Sequence, residues 1–210
     1  MDASNGAPIT ALVFDFGKVI TRDQDKEKAA QMAEILGTDP DSFSKAYYGE
    51  RGQYDRGSFG SAEYWARIAS RLGRSLSPSE TELLVELDMS SWFVINAETT
   101  DFIASVRPKV ARMVLLSNIP HDGSRKLRTG GYSWISHFDE LVLSCEHGVI
   151  KPEPAIYDIC IGAARRPAAE CILIDDIEAN VEGARAAGMR GHVFTDVPSL
   201  RKRLESEHGL

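Results

Sequence analysis

Ile9-Thr10-Ala11-Leu12-Val13-Phe14-Asp15-Phe16-Gly17-Lys18-Val19-Ile20 is the stretch on which the fold turns. Its first six residues form a mostly apolar run of strand length, with no wet alternate face. The run stops at a carboxylate, Asp15, and a glycine stands two residues further on. In open α/β sheets ligands bind beyond the carboxyl ends of the strands. A strand-end aspartate beside a glycine turn is therefore placed for chemistry rather than for packing.

Four more short apolar runs repeat the pattern: Ala111 to Leu116, Glu140 to Leu143, Cys171 to Ile174 and Gly191 to Phe194. Helical segments separate them. Pro154 to Ala164 carries Ile156, Ile159 and Cys160 at helical spacing, and Ala179 to Ala187 stops at Gly188. Apolar runs alternating with helices predict a parallel sheet covered on both faces, a Rossmann-like three-layer α/β core. Residues 21–96 break the rhythm, with no convincing strand and at least three helical patterns. Ala29, Met32, Ala33 and Leu36 end at Gly37; Trp65, Ile68, Ala69 and Leu72 end at Gly73; Ser77-Pro78-Ser79-Glu80 is a capping box leading into Leu83, Leu84 and Leu87. The expected organisation is a core of residues 1–20 and 97–210, with a small all-helical insertion at 21–96.

Composition sets the outer limits. The chain has 210 residues, 43% of them hydrophobic and 26% charged, as in an ordinary globular protein. A net charge of −7 argues against nucleic acid or an anionic membrane as the main partner. No apolar run approaches the roughly 20 residues needed to cross a bilayer. Met1-Asp2-Ala3-Ser4-Asn5-Gly6 lacks the basic and apolar regions of a signal peptide, so the expectation is a cytoplasmic protein. Cys145, Cys160 and Cys171 are odd in number and sit among apolar residues, reading as reduced interior thiols.

Four positions fall where strands should end: Asp15; Ser117, followed by Asn118; Lys151, in Gly148-Val149-Ile150-Lys151-Pro152; and the pair Asp175-Asp176, with Asn180 a helical turn on. Each alone reads as a cap, a turn or a solvated side chain. On successive strands, in this order, they resemble the motifs of the haloacid dehalogenase-like hydrolases. The resemblance covers the whole chain, because the helical insertion sits where the cap of subfamily I sits. It implies an Mg²⁺-dependent phosphatase that forms an aspartyl-phosphate on Asp15. Mg²⁺ would be held by Asp15, the backbone carbonyl of Gly17 and Asp176, an oxygen set that suits the ion. Ser117 and Asn118 would bind phosphate oxygens with Lys151, which would also neutralise developing charge. Asp175 would orient Lys151 or a metal-bound water, and Asn180 would support the loop. The implied partner is a small phosphorylated metabolite, with no nucleic acid and no membrane, bound by a monomer or a homodimer.

Gly17 departs from the family's motif, which usually has an aspartate there to protonate the leaving alcohol. Positioned acid–base catalysis is worth on the order of 10²–10⁴-fold. The substrate can have a good leaving group, another group such as His121 or one from the cap can carry the proton, or turnover is slow and the chain chiefly binds. Two other readings stay open: a haloacid dehalogenase-type hydrolase, and a weakly active or non-catalytic phosphometabolite binder. Substrate choice falls to the cap, where Tyr47, Tyr48, Tyr54, Phe59, Tyr64 and Trp65 gather with Arg51, Asp55 and Arg56. Trp65 lies on an apolar stripe and is expected between helices. Gly49 to Gly60, with four glycines, is expected to be a mobile, substrate-sensing loop.

Overall fold

The computed structural model describes residues 8–210; the opening Met1 to Gly6 considered above lies outside them. Five strands form one sheet, β1 (Ala11–Phe14), β2 (Arg112–Ser117), β3 (Glu140–Leu143), β4 (Cys171–Asp175) and β5 (Arg190–Val193), in the order β3-β2-β1-β4-β5. All four pairings are parallel. Among the described residues ten α-helices accompany them: α1 (Lys26–Ile35), α2 (Pro40–Asp55), α3 (Ser61–Arg71), α4 (Pro78–Trp92), α5 (Ala97–Val106), α6 (His121–Thr129), α7 (Ser144–His147), α8 (Pro154–Ala164), α9 (Glu178–Ala186) and α10 (Val197–His208).

The sheet is buried on both faces because β1 is apolar on both. Leu12 and Phe14 point into a cluster with Phe102 and Ile103 of α5, Leu127 of α6 and Leu200 and Leu204 of α10. Ala11 and Val13 point the other way, onto Ile156, Tyr157 and Cys160 of α8 and Ala184 of α9. Each such fully buried large side chain contributes about 1.5–3 kcal/mol. These two clusters make the three-layer α/β core. All three cysteines are buried and unpaired, Cys160 and Cys171 within this core. None of the described helices is long and apolar enough to cross a membrane.

Within residues 21–96 the chain makes four helices, α1 to α4, where the sequence suggested at least three. They close around a core of their own, in which Met32, Leu36, Tyr47, Tyr54, Tyr64, Trp65 and Ile68 are buried. Ser77 makes the expected reciprocal box with Glu80. The helix not anticipated is α2. Its start is capped by Asp39, which accepts from the N–H groups of Asp41 and Ser42, with Pro40 at the first helical position. The expected mobile loop Gly49 to Gly60 is thereby corrected. The stretch is helical as far as Asp55, and its glycines lie within α2 or just beyond it. Aromatic burial of Tyr47 and Tyr54 outweighs the low helix propensity of two glycines.

Candidate active site

The strand order places a topological switch between β1 and β4: from β1 the chain moves to β2 on one side, and from β4 to β5 on the other. Their carboxyl ends open there, where ligands of such sheets bind. Asp15 follows β1 and its N–H extends the pairing to Ile174 O at 2.9 Å. Asp175 ends β4, and Asp176 follows. One carboxylate oxygen from each of Asp15, Asp175 and Asp176 lies within 4.8 Å of the others.

Lys151 enters this acidic group from the loop before α8. Its Nζ donates to Asp15 Oδ1 at 2.7 Å, to Asp175 Oδ2 at 2.6 Å and to Leu116 O at 3.0 Å. The side chain is 1% exposed. Burial alone would lower its pKa, but the two carboxylates outweigh it and hold the ammonium above its ordinary range. Burial pushes the Asp15 carboxyl upward and Asp175 adds to that, against the pull of Lys151.

Asp175 and Asp176 part company in their contacts. Asp175 accepts from Lys151, from Asn180 Nδ2 at 3.0 and 3.1 Å and from the Ile177 N–H at 2.9 Å, so both its oxygens are engaged within the protein. Asp176 is met by Lys18 Nζ at 3.8 Å, and burial followed by repulsion from Asp175 raises its pKa. Lys18, which the sequence reading passed over, reaches it from a left-handed residue, φ 57°. Asn118 ties two loops together: its Nδ2 donates to Lys151 O at 3.0 Å and its Oδ1 accepts from Lys151 N at 2.8 Å. With the amide occupied at both ends, what Asn118 offers a ligand is its backbone N–H. Ser117, 2% exposed, ends β2 with its Oγ 3.5 Å from Asn118 O.

All of these groups but Asp175, which lies buried behind Lys151, share one cavity of about 360 Å³. Asp15, Gly17, Lys18, Ser117, Asn118, Lys151, Asp176 and Asn180 line its strand-end side. Tyr48, Arg51 and Asp55 of α2, Met89 and Trp92 of α4, and Phe93 line the side formed by the helical insertion. Of the six aromatic residues that could have faced it, Tyr48 does. Tyr47, Tyr54, Tyr64 and Trp65 are in the core of the helical insertion, and Phe59 packs against it. Arg56 turns away to Glu153 and Gly148 O. His121, exposed at the start of α6, is not in the lining; its Nε2 lies 2.8 Å from where a Cβ on Gly57 would be.

Arg51 is the best-anchored side chain of the insertion's wall. Its Nε donates to Asp55 Oδ1 at 2.9 Å, and one terminal nitrogen donates to Tyr47 Oη at 2.6 Å and to Asp88 at 3.1 and 3.2 Å. The guanidinium also lies over the rings of Tyr54 and Trp92, at 5.6 and 5.9 Å.

Comparison with known proteins gives a consistent result. The model of the family "haloacid dehalogenase-like hydrolase" matches residues 9–188. The D-ribitol-5-phosphate phosphatase of Bacteroides thetaiotaomicron is 28% identical over 188 residues, 86% of this chain and 89% of that protein. Rat bifunctional epoxide hydrolase 2 is 37% identical over 73 residues, 35% of this chain and 13% of the length of that enzyme. A crystal structure of an enzyme of the same family from B. thetaiotaomicron, in complex with magnesium and inorganic phosphate, superposes with a TM-score of 0.72. That match covers 91% of this chain and 98% of the other at 22% identity, a likeness of fold.

Proposed function

The chain belongs to the haloacid dehalogenase-like hydrolases, and on that premise we propose that it is an Mg²⁺-dependent phosphatase of a small phosphorylated metabolite. One observation carries the reading: Lys151, buried between Asp15 and Asp175, leaves Asp176 beside Asp15 without a strong partner. Such a carboxylate pair is a hard oxygen site. The oxygen donors suit Mg²⁺, and Asp15, Asp176 and the Gly17 carbonyl would hold it. Bound there, the ion would neutralise phosphate oxygens and so reduce repulsion of the nucleophile. The relatives point the same way, with a sugar-alcohol phosphatase matching nearly end to end and a fold neighbour binding magnesium and phosphate.

The residues divide the work as follows. Asp15 attacks phosphorus through one carboxylate oxygen, forming an aspartyl-phosphate that water then hydrolyses. Lys151 fixes that carboxylate and carries positive charge toward the transferring group, in a buried site where such charge acts strongly. Asp175, fixed by Asn180 and the Ile177 N–H, holds the Lys151 ammonium in place. The Ser117 hydroxyl and the Asn118 N–H bind the remaining phosphate oxygens. Residues 21–96 act as the cap, closing the cavity over the substrate and excluding water.

The test uses p-nitrophenyl phosphate. Phosphate release should need Mg²⁺, stop with EDTA and fall by at least about 10³-fold in Asp15→Asn. Equal rates in wild type and Asp15→Asn would leave a binding protein rather than an enzyme. Chloride release from 2-chloropropionate without metal would make it a dehalogenase. Asp176 argues against that outcome, since a second unpaired carboxylate would repel a departing halide.

A further inference from the structure

Gly17 leaves the strand-end wall without a proton carrier, and displacement at phosphorus dictates where one must stand. Asp15 attacks from the strand ends, so the bond to the leaving oxygen, in line with the attack, points away from it and toward α2 and α4. Few side chains on that wall can exchange a proton near neutrality. Met89 and Phe93 cannot. Arg51 is permanently charged. The Trp92 N–H is committed to Tyr47 Oη at 2.9 Å. Burial raises the Tyr48 hydroxyl further above its ordinary range. Asp55 remains.

Its geometry suits the task. Asp55 is 8% exposed and lines the cavity. Oδ1 accepts from Arg51 Nε, while Oδ2 meets no hydrogen-bond donor among the described residues. The backbone on which it stands is pinned to the core: its carbonyl accepts from Ser144 Oγ at 2.5 Å, and its neighbours Tyr54 and Arg56 bond to Asp122 and Glu153. A carboxyl oxygen without a donor is thereby held on the wall of the cavity that Asp15 also lines.

We propose that Asp55 is the general acid and general base of this enzyme, supplied by the helical insertion in place of the carboxylate that Gly17 lacks. The assignment rests on the phosphatase reading above. As Asp15 oxygen bonds to phosphorus, the phosphorus–oxygen bond to the leaving group breaks and its electron pair stays on that oxygen. Protonated Asp55 gives it a proton, and the alcohol departs. The resulting Asp55 carboxylate takes a proton from water as the water oxygen bonds to phosphorus. The bond to Asp15 then breaks, its pair returns to the Asp15 carboxylate, inorganic phosphate leaves, and Asp55 is again protonated. Burial, opposed by Arg51, holds this carboxyl at about 6, close to where one group can serve as both acid and base. The ionisable groups facing it are Arg51 on its own helix, Asp88 from α4, Tyr64 from α3 and Cys145 from α7.

The experiment compares wild type and Asp55→Asn on aryl phosphates graded from p-nitrophenyl, a good leaving group, to phenyl and p-methoxyphenyl, poor ones. Asparagine keeps the shape and a hydrogen bond to Arg51 but carries no proton of use. The expected loss in kcat/KM is under about threefold for p-nitrophenyl phosphate and on the order of 10²-fold for the poor leaving groups. For phenyl phosphate, the ratio of wild-type to variant kcat/KM should fall as pH rises through about 6, where Asp55 loses its proton. Because it is a ratio, the substrate's own ionisation cancels. Gly17→Asp should rescue Asp55→Asn on phenyl phosphate, restoring at least about tenfold. A loss uniform across the series, or a ratio flat with pH, overturns the role of Asp55 and leaves the phosphatase reading standing. Wild-type protein that releases phosphate from none of the series overturns both.

Discussion

A Cβ built on Gly17 meets no atom within 4 Å, and its φ is not in the left-handed region. Neither packing nor backbone conformation therefore requires glycine there. The residue under backbone constraint is the next one, Lys18, at φ 57°. Gly17 is therefore a position that lacks a side chain rather than one whose turn demands glycine. Gly17→Asp should fold, with its melting temperature lowered by no more than about 2–4 °C despite the neighbouring carboxylates. It should raise kcat/KM on phenyl phosphate more than on acetyl phosphate, whose leaving group needs no proton. Thermal unfolding with the two assays checks this. A uniform loss on both substrates would show that the open space at position 17 is needed by the bound phosphate or metal.

At the scale of elements, the strands and α2 show what was legible and why. Each strand lies within two residues of its apolar run, because a strand buried on both faces has no polar interruption to blur its ends. α8 matches Pro154 to Ala164. Asp15, Ser117 and Asp175 were legible as strand-end positions, since a polar residue that closes an apolar run marks itself; Lys151, expected at a strand end, lies instead in the loop between α7 and α8, because β3 stops at Leu143 and the short helix α7 intervenes. α2 was not. Its buried face mixes Phe43, Tyr47 and Tyr54 with Glu50 and Asp55, and Gly49 and Gly52 read as loop residues. The signal present was Asp39-Pro40, the same cap-and-proline start that marks Ser77-Pro78. The pairing of Arg51 with Asp88, 37 residues apart, depends on helix packing, which no local pattern encodes. Gly49 is accordingly a helix-interior glycine with nothing within 4 Å of an added Cβ. Gly49→Ala should stabilise the protein by about 0.5–1 kcal/mol, raising the melting temperature by about 1–4 °C. A fall in melting temperature would mean that the site is less open than its surroundings indicate.

Across the whole molecule, the helical insertion is joined to the core in two ways. The chain enters and leaves through a narrow antiparallel crossing, with Thr21 bridged to Ile95, Arg22 N–H to Val94 O at 2.8 Å and Asn96 N–H to Ile20 O at 2.9 Å. On the far side, the end of α2 is fastened by three consecutive residues: Tyr54 Oη donates to Asp122 at 3.1 Å, Asp55 O accepts from Ser144 and Arg56 bonds to Glu153 and Gly148 O. If the insertion opens over the site as a lid, the crossing is its hinge and the contacts of residues 54–56 are the latch that must release. The Arg56–Glu153 pair is its most exposed member, with side chains 26% and 37% exposed, so its contribution is at most about 1 kcal/mol. Arg56→Ala should therefore raise the open population by up to about fivefold. Amide exchange in residues 54–57 should quicken by that factor, while α1, α3 and α4 keep their protection, because their shared core does not involve Arg56. Salt at 0.5 M should produce part of the same effect in wild type by screening the pair. Faster exchange throughout the insertion, with a lower melting temperature, would instead show that Arg56 supports its folding. Unchanged exchange at 54–57 would place the latch on Tyr54 and Ser144, which Ser144→Ala would then release.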